Sequence, residues 1–204
     1  MSATASPTLP AGCTASHCWL IGPTSRVRRR LQAAGEYPVE VGEIPASPYQ
    51  TFECRAENSH DEVAAVAALV RHVVPWMLEH DPAGVRRTLA TVYTLAPDLT
   101  SRLDEEAPSQ DWREMTRSEL LRLAHGLSEL LHYWGASAGS STVVFEDVHL
   151  AGTVDSVLIA QILRDLPPEL VRVVVCSTTD RVPEVLRQVL EGVPRKDLRH
   201  TSDR

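Results

Sequence analysis

Apolar residues follow two rhythms along this chain: short unbroken runs towards either end, and spaced positions through the middle. His17-Cys18-Trp19-Leu20-Ile21 is a short run stopped by Gly22-Pro23, which predicts a buried strand. Thr24 or Ser25 then caps a short helix over 26–34, closed by Gly35. The proline-rich stretch 36–48 reads as loop with a short strand at 39–41, and Tyr49–Cys54 alternates as a strand does. From Ser59 the period lengthens. Ser59 and Glu62 form a capping-box pattern, so a helix is predicted from 60 or 61, with Val63, Val66, Val70 and Val73 inward and a kink at Pro75. Asp81-Pro82 opens a second helix that carries Val85, Leu89, Val92 and Tyr93 and stops before Pro97. After a charged connector over 98–115, Thr116 and Glu119 make another capping box. It opens a long helix with Leu123, Leu127, Leu130 and Trp134 on one face, closed by Gly135.

The short runs then return. Thr142–Phe145 is a strand, Thr153 caps a helix that Pro167-Pro168 stops, and Leu170–Cys176 is the strongest strand of the chain. Two unbroken apolar strands around a helix read as a βαβ unit in a parallel sheet buried on both faces. Pro183–Glu191 is a last short helix. The fold class predicted is α/β: a parallel sheet of four to five strands flanked by helices. A long helical block, 59–134, comes before the strand that ends at Glu146. Residues 17–192 form one domain, with a mobile lead-in over 1–16 and a frayed charged tail over 193–204.

Composition narrows the classes. The chain has 204 residues, 43% hydrophobic and 23% charged, in the range of an ordinary globular domain. A net charge of −7 argues against general nucleic-acid binding. Cys13, Cys18, Cys54 and Cys176 are too scattered for a disulfide framework. No stretch reaches the roughly 18 apolar residues of a membrane span, and residues 1–10 lack the plan of a signal peptide. A cytoplasmic protein with reduced thiols is the expectation. The cations are arginines apart from Lys196, a bias that a GC-rich bacterial genome would produce.

Candidate chemistry centres on Glu146-Asp147, at the end of an apolar strand. Ligands bind beyond the carboxyl ends of parallel strands, and paired acids there can hold Mg²⁺ and polarise water. The alternative is plain: such acids also cap helices or pair with arginines. Cys13, His17 and Cys18 place three zinc donors close together, but no second ligand pair follows. Cys176, at the end of a core strand, reads as an inert buried thiol.

Phe145-Glu146-Asp147-Val148-His149-Leu150-Ala151-Gly152 resembles the Walker B segment of AAA-like STAND ATPases, the P-loop modules of bacterial signalling regulators. The helix over 155–163 and the strand Val173–Asp180 fit the same resemblance, the latter as a sensor strand with Thr178 near the γ-phosphate. The resemblance implies a phosphate loop after the first strand, at Gly22, Thr24, Ser25 and Arg26, with His149 nearby. There the chain departs from the pattern. The second glycine, the lysine and the Mg²⁺-binding hydroxyl are missing, and Leu150 stands for the family's tryptophan. A cluster of Arg26, Arg28, Arg29 and Arg30 follows, either a phosphate-binding substitute or a solvated helix face.

Three functions follow as expectations. The first is a regulatory or scaffolding pseudo-ATPase that needs no cofactor and acts through a protein partner, with the helical block as docking surface. The second is an Mg-ATP-binding switch in which Glu146 and Asp147 hold Mg²⁺ and arginines replace the lysine. The third is an α/β enzyme of unidentified chemistry. A phosphate-loop geometry requires the strand after His17 to lie beside the strand ending at Glu146.

Overall fold

The computed structural model describes residues 16–33, 49–53, 63–102, 115–139 and 141–199. Five parallel strands form one sheet: β1 (Cys18–Ile21), β2 (Tyr49–Glu53), β3 (Ser141–Glu146), β4 (Val171–Ser177) and β5 (Arg195–Asp197), in the order β2-β3-β4-β1-β5. Helix α1 (Thr24–Ala33) follows β1. Helices α2 (Ala64–His80), α3 (Pro82–Arg87), α4 (Leu89–Leu95) and α5 (Arg117–Ala138) separate β2 from β3. Helices α6 (Thr153–Asp165) and α7 (Glu184–Leu190) follow β3 and β4. The α/β class and the position of the helical block are as the sequence predicts.

Strand alternation divides the core. Trp19, Ile21, Val143, Phe145, Val173 and Val175 face the larger cluster, built with α2, α5, α6 and α7. Leu20, Val144, Val174 and Cys176 face the other way, against Val27 of α1. Parallel crossovers are right-handed, so α1, which leads leftward to β2, and α7, which leads rightward to β5, lie on opposite faces. Connections therefore diverge between β1 and β4, the place where an open parallel sheet leaves a crevice at its carboxyl edge.

Several boundaries differ from the sequence reading. The residues expected to cap α2, Ser59 and Glu62, lie outside the described residues. Val63 stands at the N-cap and makes no side-chain cap. The orphan donors Ala65 N and Val66 N are met instead by the carboxylate of Asp155 on α6, at 3.0 and 3.1 Å. Helix α2 continues through Pro75. The helix opened by Asp81 and Pro82 stops at Thr88, whose hydroxyl donates to the carbonyls of Gly84 and Val85, and restarts as α4. Residues 97–102 form a 3-10 turn that runs into the expected connector. Thr116 and Glu119 make the predicted capping box.

Helix α5 does not stop at Gly135 but runs to Ala138, with Gly139 at its C-cap. Gly135 serves packing instead: a Cβ there would come within 2.7 Å of Val171 Cγ2, so only glycine lets the helix lie this close to β4. Thr153 does not cap α6; Gly152 holds that position without a side-chain bond. The tail expected to fray supplies β5 over Arg195–Asp197, paired with β1. Its exposed side chains, Arg-Lys-Asp, carry no apolar signal because β5 is an edge strand. The lead-in 1–15 and the strand expected at 39–41 lie outside the described residues. No helix among the described residues is long and apolar enough to cross a membrane.

Candidate functional site

The carboxyl ends of β1, β3, β4 and β5 share one edge, and the sequence-predicted site residues gather there. One requirement fails as stated: β1 is not beside β3, because β4 lies between them. The interposed strand is the one that resembles a sensor strand, so Ser177 and Thr178 stand between the opening turn and the acidic pair. Gly22 N donates to Ser177 O at 2.9 Å, and Trp19 Nε1 donates to Ser177 Oγ at 3.0 Å.

A side chain closes the gap that β4 opens. Glu146 is 1% exposed at the end of β3. Arg28 of α1 reaches it with two parallel bonds, Nε to Oε1 at 3.1 Å and Nη2 to Oε2 at 2.8 Å. The planar fork of a guanidinium matches a carboxylate in this way, and an ammonium does not. Arg28 keeps 42% of its side chain exposed. A buried carboxylate is thus neutralised by a cation whose other side meets water.

This pairing bears on how Glu146 suits Mg²⁺. Both Glu146 oxygens accept from Arg28, and a divalent cation there would face the guanidinium's repulsion. In this arrangement Glu146 does not fit the role of a magnesium ligand. Asp147 is half-buried and adopts the left-handed conformation, φ 53° and ψ 34°, which aspartate tolerates better than most residues. That turn sends the chain straight from β3 into a 3-10 turn over Val148–Leu150, with Leu150 N bonded to Asp147 O.

His149 sits on this turn, and its Nε2 lies 3.0 Å from the exposed Thr178 Oγ1. Two candidate cofactor-binding residues are therefore brought together, and they bond to each other. His149 Nδ1 is buried and has no hydrogen-bond partner among the described residues. Leu150, in the tryptophan's place, is exposed.

The rest of the opening turn is engaged elsewhere. Arg26 donates through Nη1 to Leu198 O at 3.2 Å and Arg199 O at 2.9 Å. Ser25 and Arg29 are exposed. Thr24 begins α1, and the side chains of Thr24 and Arg30 lie outside the described set. The reading in which a strand-end acid pairs with an arginine holds for Arg28 and Glu146, whereas Arg26 binds backbone carbonyls.

The zinc reading fails at His17. Its Nδ1 accepts from Val173 N at 3.0 Å, and Nε2 donates to Leu166 O at 3.0 Å, so both ring nitrogens are used and the tautomer is fixed. The imidazole continues the β1–β4 ladder past its last backbone pair. Burial holds its pKa below the ordinary histidine value. Cys13 lies outside the described residues. The described residues contain no group of three or more potential metal ligands. Burial pushes the Cys176 thiol well up, with Cys18, Glu146 and Asp147 adding to it, which favours the protonated thiol.

Asp155 opens the helix that fits the resemblance, and its role in the fold is not visible in its sequence context. It is 1% exposed, and burial raises its carboxyl to about 6 against the two backbone N–H groups of α2 that favour the anion. A first-turn acid on α6 looks like a helix-dipole residue in sequence; nothing local reveals that it caps a helix ninety residues earlier. Comparison with protein-family models, curated proteins and solved structures finds no match.

Proposed function

We propose that this chain is a regulatory or scaffolding module built on a degenerate ATPase-like site, with no efficient ATP turnover, acting through a protein partner. The observation that carries this reading is the Arg28–Glu146 pair. The acid expected to hold Mg²⁺ accepts a bidentate arginine from the helix where a phosphate-binding lysine would be expected. A metal that used Glu146 would have to displace that arginine from a buried carboxylate, at a cost of several kcal/mol in desolvation and lost pairing. The missing lysine and second glycine of the opening turn support the same conclusion from the sequence.

Direct adjacency of the opening strand and the acidic strand is not met, and this weakens the case for a phosphate loop. The contact between Arg28 and Glu146 keeps the two ends of the presumed site within one side chain of each other. The helical block offers little exposed apolar surface for docking: among its described large hydrophobic residues only Leu121 is exposed. A partner would meet a mainly polar face there.

Calorimetric titration with Mg-ATP separates this reading from an ATP-binding switch. A folded protein that gives no heat at millimolar nucleotide supports the scaffold. Tight binding that Glu146→Gln and Asp147→Asn abolish would replace it with the switch.

A further inference from the structure

The segment that follows α7 returns to the sheet as β5 and then crosses the carboxyl end of β1. Leu198 N donates to Ile21 O at 2.6 Å, extending the β1–β5 pairing by one residue. The Leu198 side chain is 4% exposed and packs with Leu20, Val27, Val174 and Cys176. Gly22 makes this approach possible, because a Cβ at that position would lie 2.9 Å from Leu198 Cβ. Beyond it, the carbonyls of Leu198 and Arg199 both accept from the Arg26 guanidinium. Arg199 is itself held by Asp197, through Nε at 3.1 Å to each carboxylate oxygen, with Asp180 at 4.0 Å.

Backbone, apolar side chain and charge therefore all fix 195–199 to the opening turn. Both carbonyl oxygens accept from Nη1 of Arg26, a donor that the oxygens of an anion would also use. Gly22, the one glycine of the phosphate-loop pattern that the chain keeps, here admits a leucine of the same chain. Neither carbonyl is a strong partner: each offers a neutral acceptor, and a doubly charged oxyanion would compete well for the same donors.

We infer that residues 195–199 are an autoinhibitory strap that occupies the opening turn and keeps Arg26 from binding phosphate-bearing anions. This rests on the reading above that the opening turn derives from an anion site. When the strap leaves, Arg26 loses its two acceptors and the surface of Gly22 opens. The strap thereby makes access to the turn conditional on whatever draws the C-terminal segment away.

The test uses the full chain and inorganic pyrophosphate. Leu198→Asp places a charge in the apolar seat, and Gly22→Ala pushes on the same contact from the other side, so failure of one variant to fold leaves the other. Hydrogen exchange at 195–199 reports release. The released variants are expected to bind pyrophosphate about tenfold or more tightly than the wild type, as one restored charge-assisted contact would give. Adding Arg26→Ala should cancel the gain. A released strap with no gain in affinity overturns the inference, as does a gain that survives Arg26→Ala or equal binding by the wild type. ATP turnover by the wild type would instead overturn the scaffold reading, so the two failures are separable.

Discussion

Glu146 and Asp155 are buried to the same degree, nine positions apart, on consecutive elements of one βα unit. Their partners differ in kind. Glu146 faces a full cation carried by α1. Asp155 faces only the two N–H groups that open α2, and its carboxyl rises to about 6. A buried charge met by an opposite charge locks two elements together and leaves little room for a metal. A buried charge met by dipoles joins two elements as firmly but remains able to titrate. One carboxylate closes the candidate site; the other docks the helical block.

The largest effect should come from separating the ion pair. Arg28→Ala leaves Glu146 buried without its cation and should cost about 3 kcal/mol of unfolding free energy, the low end for a buried pair because Arg28 is partly solvated. Adding Glu146→Gln should recover most of that loss. Urea denaturation of the four-member cycle measures the coupling, and additive losses would mean that the pair is an incidental surface contact.

Asp155→Ala should cost about 2 kcal/mol, since it strands two buried N–H donors. Asp155→Asn keeps an acceptor and should stay close to wild type near neutrality while changing the pH profile. The folded-state pKa of Asp155 lies above its ordinary 3.8, so the native state holds the proton longer and stability falls as pH rises from about 4 to about 6. His17 acts in the opposite sense. Its folded-state pKa is lowered from 6.5, so its contribution is full above that value and is lost as pH falls below it. Thermal melts from pH 4 to 7 should therefore steepen in Asp155→Asn, where Asp155 no longer offsets the slopes of His17 and His72, whose pKa burial also lowers. An unchanged profile would remove Asp155 from the account.

Thr116→Ala tests the same capping function where the cap is local and exposed. Loss of its bond to Glu119 N should cost about 1 kcal/mol, less than the cap that Asp155 supplies from a distance. Equal losses at Thr116 and Asp155 would mean that burial adds nothing to a cap.

The same contrast explains what could be read from the sequence. Thr116 with Glu119 and Asp81 with Pro82 are local signals, and the structure honours both. Unbroken apolar runs marked β1, β3 and β4 because those strands are covered on both faces. β5 stayed hidden because an exposed edge strand has no such run. The cap of α2, the seat of Leu198 and the fork of Arg28 on Glu146 join residues 89 to 177 positions apart, and no periodicity encodes such pairs. Glu146 itself was legible as a strand-end acid. Its partner was not, since four arginines in the 26–30 stretch were equal candidates on sequence.

The central claim is that Arg28 holds the acid a metal would need. The Arg28 Nε–H resonance, assigned by loss in Arg28→Lys and followed by NMR while Mg-ATP is added, tests it most directly. An unmoved, exchange-protected resonance at saturating nucleotide is what the ion pair predicts. A resonance that shifts or vanishes as phosphate release begins would show the arginine leaving Glu146 for a working site, and the account would be wrong.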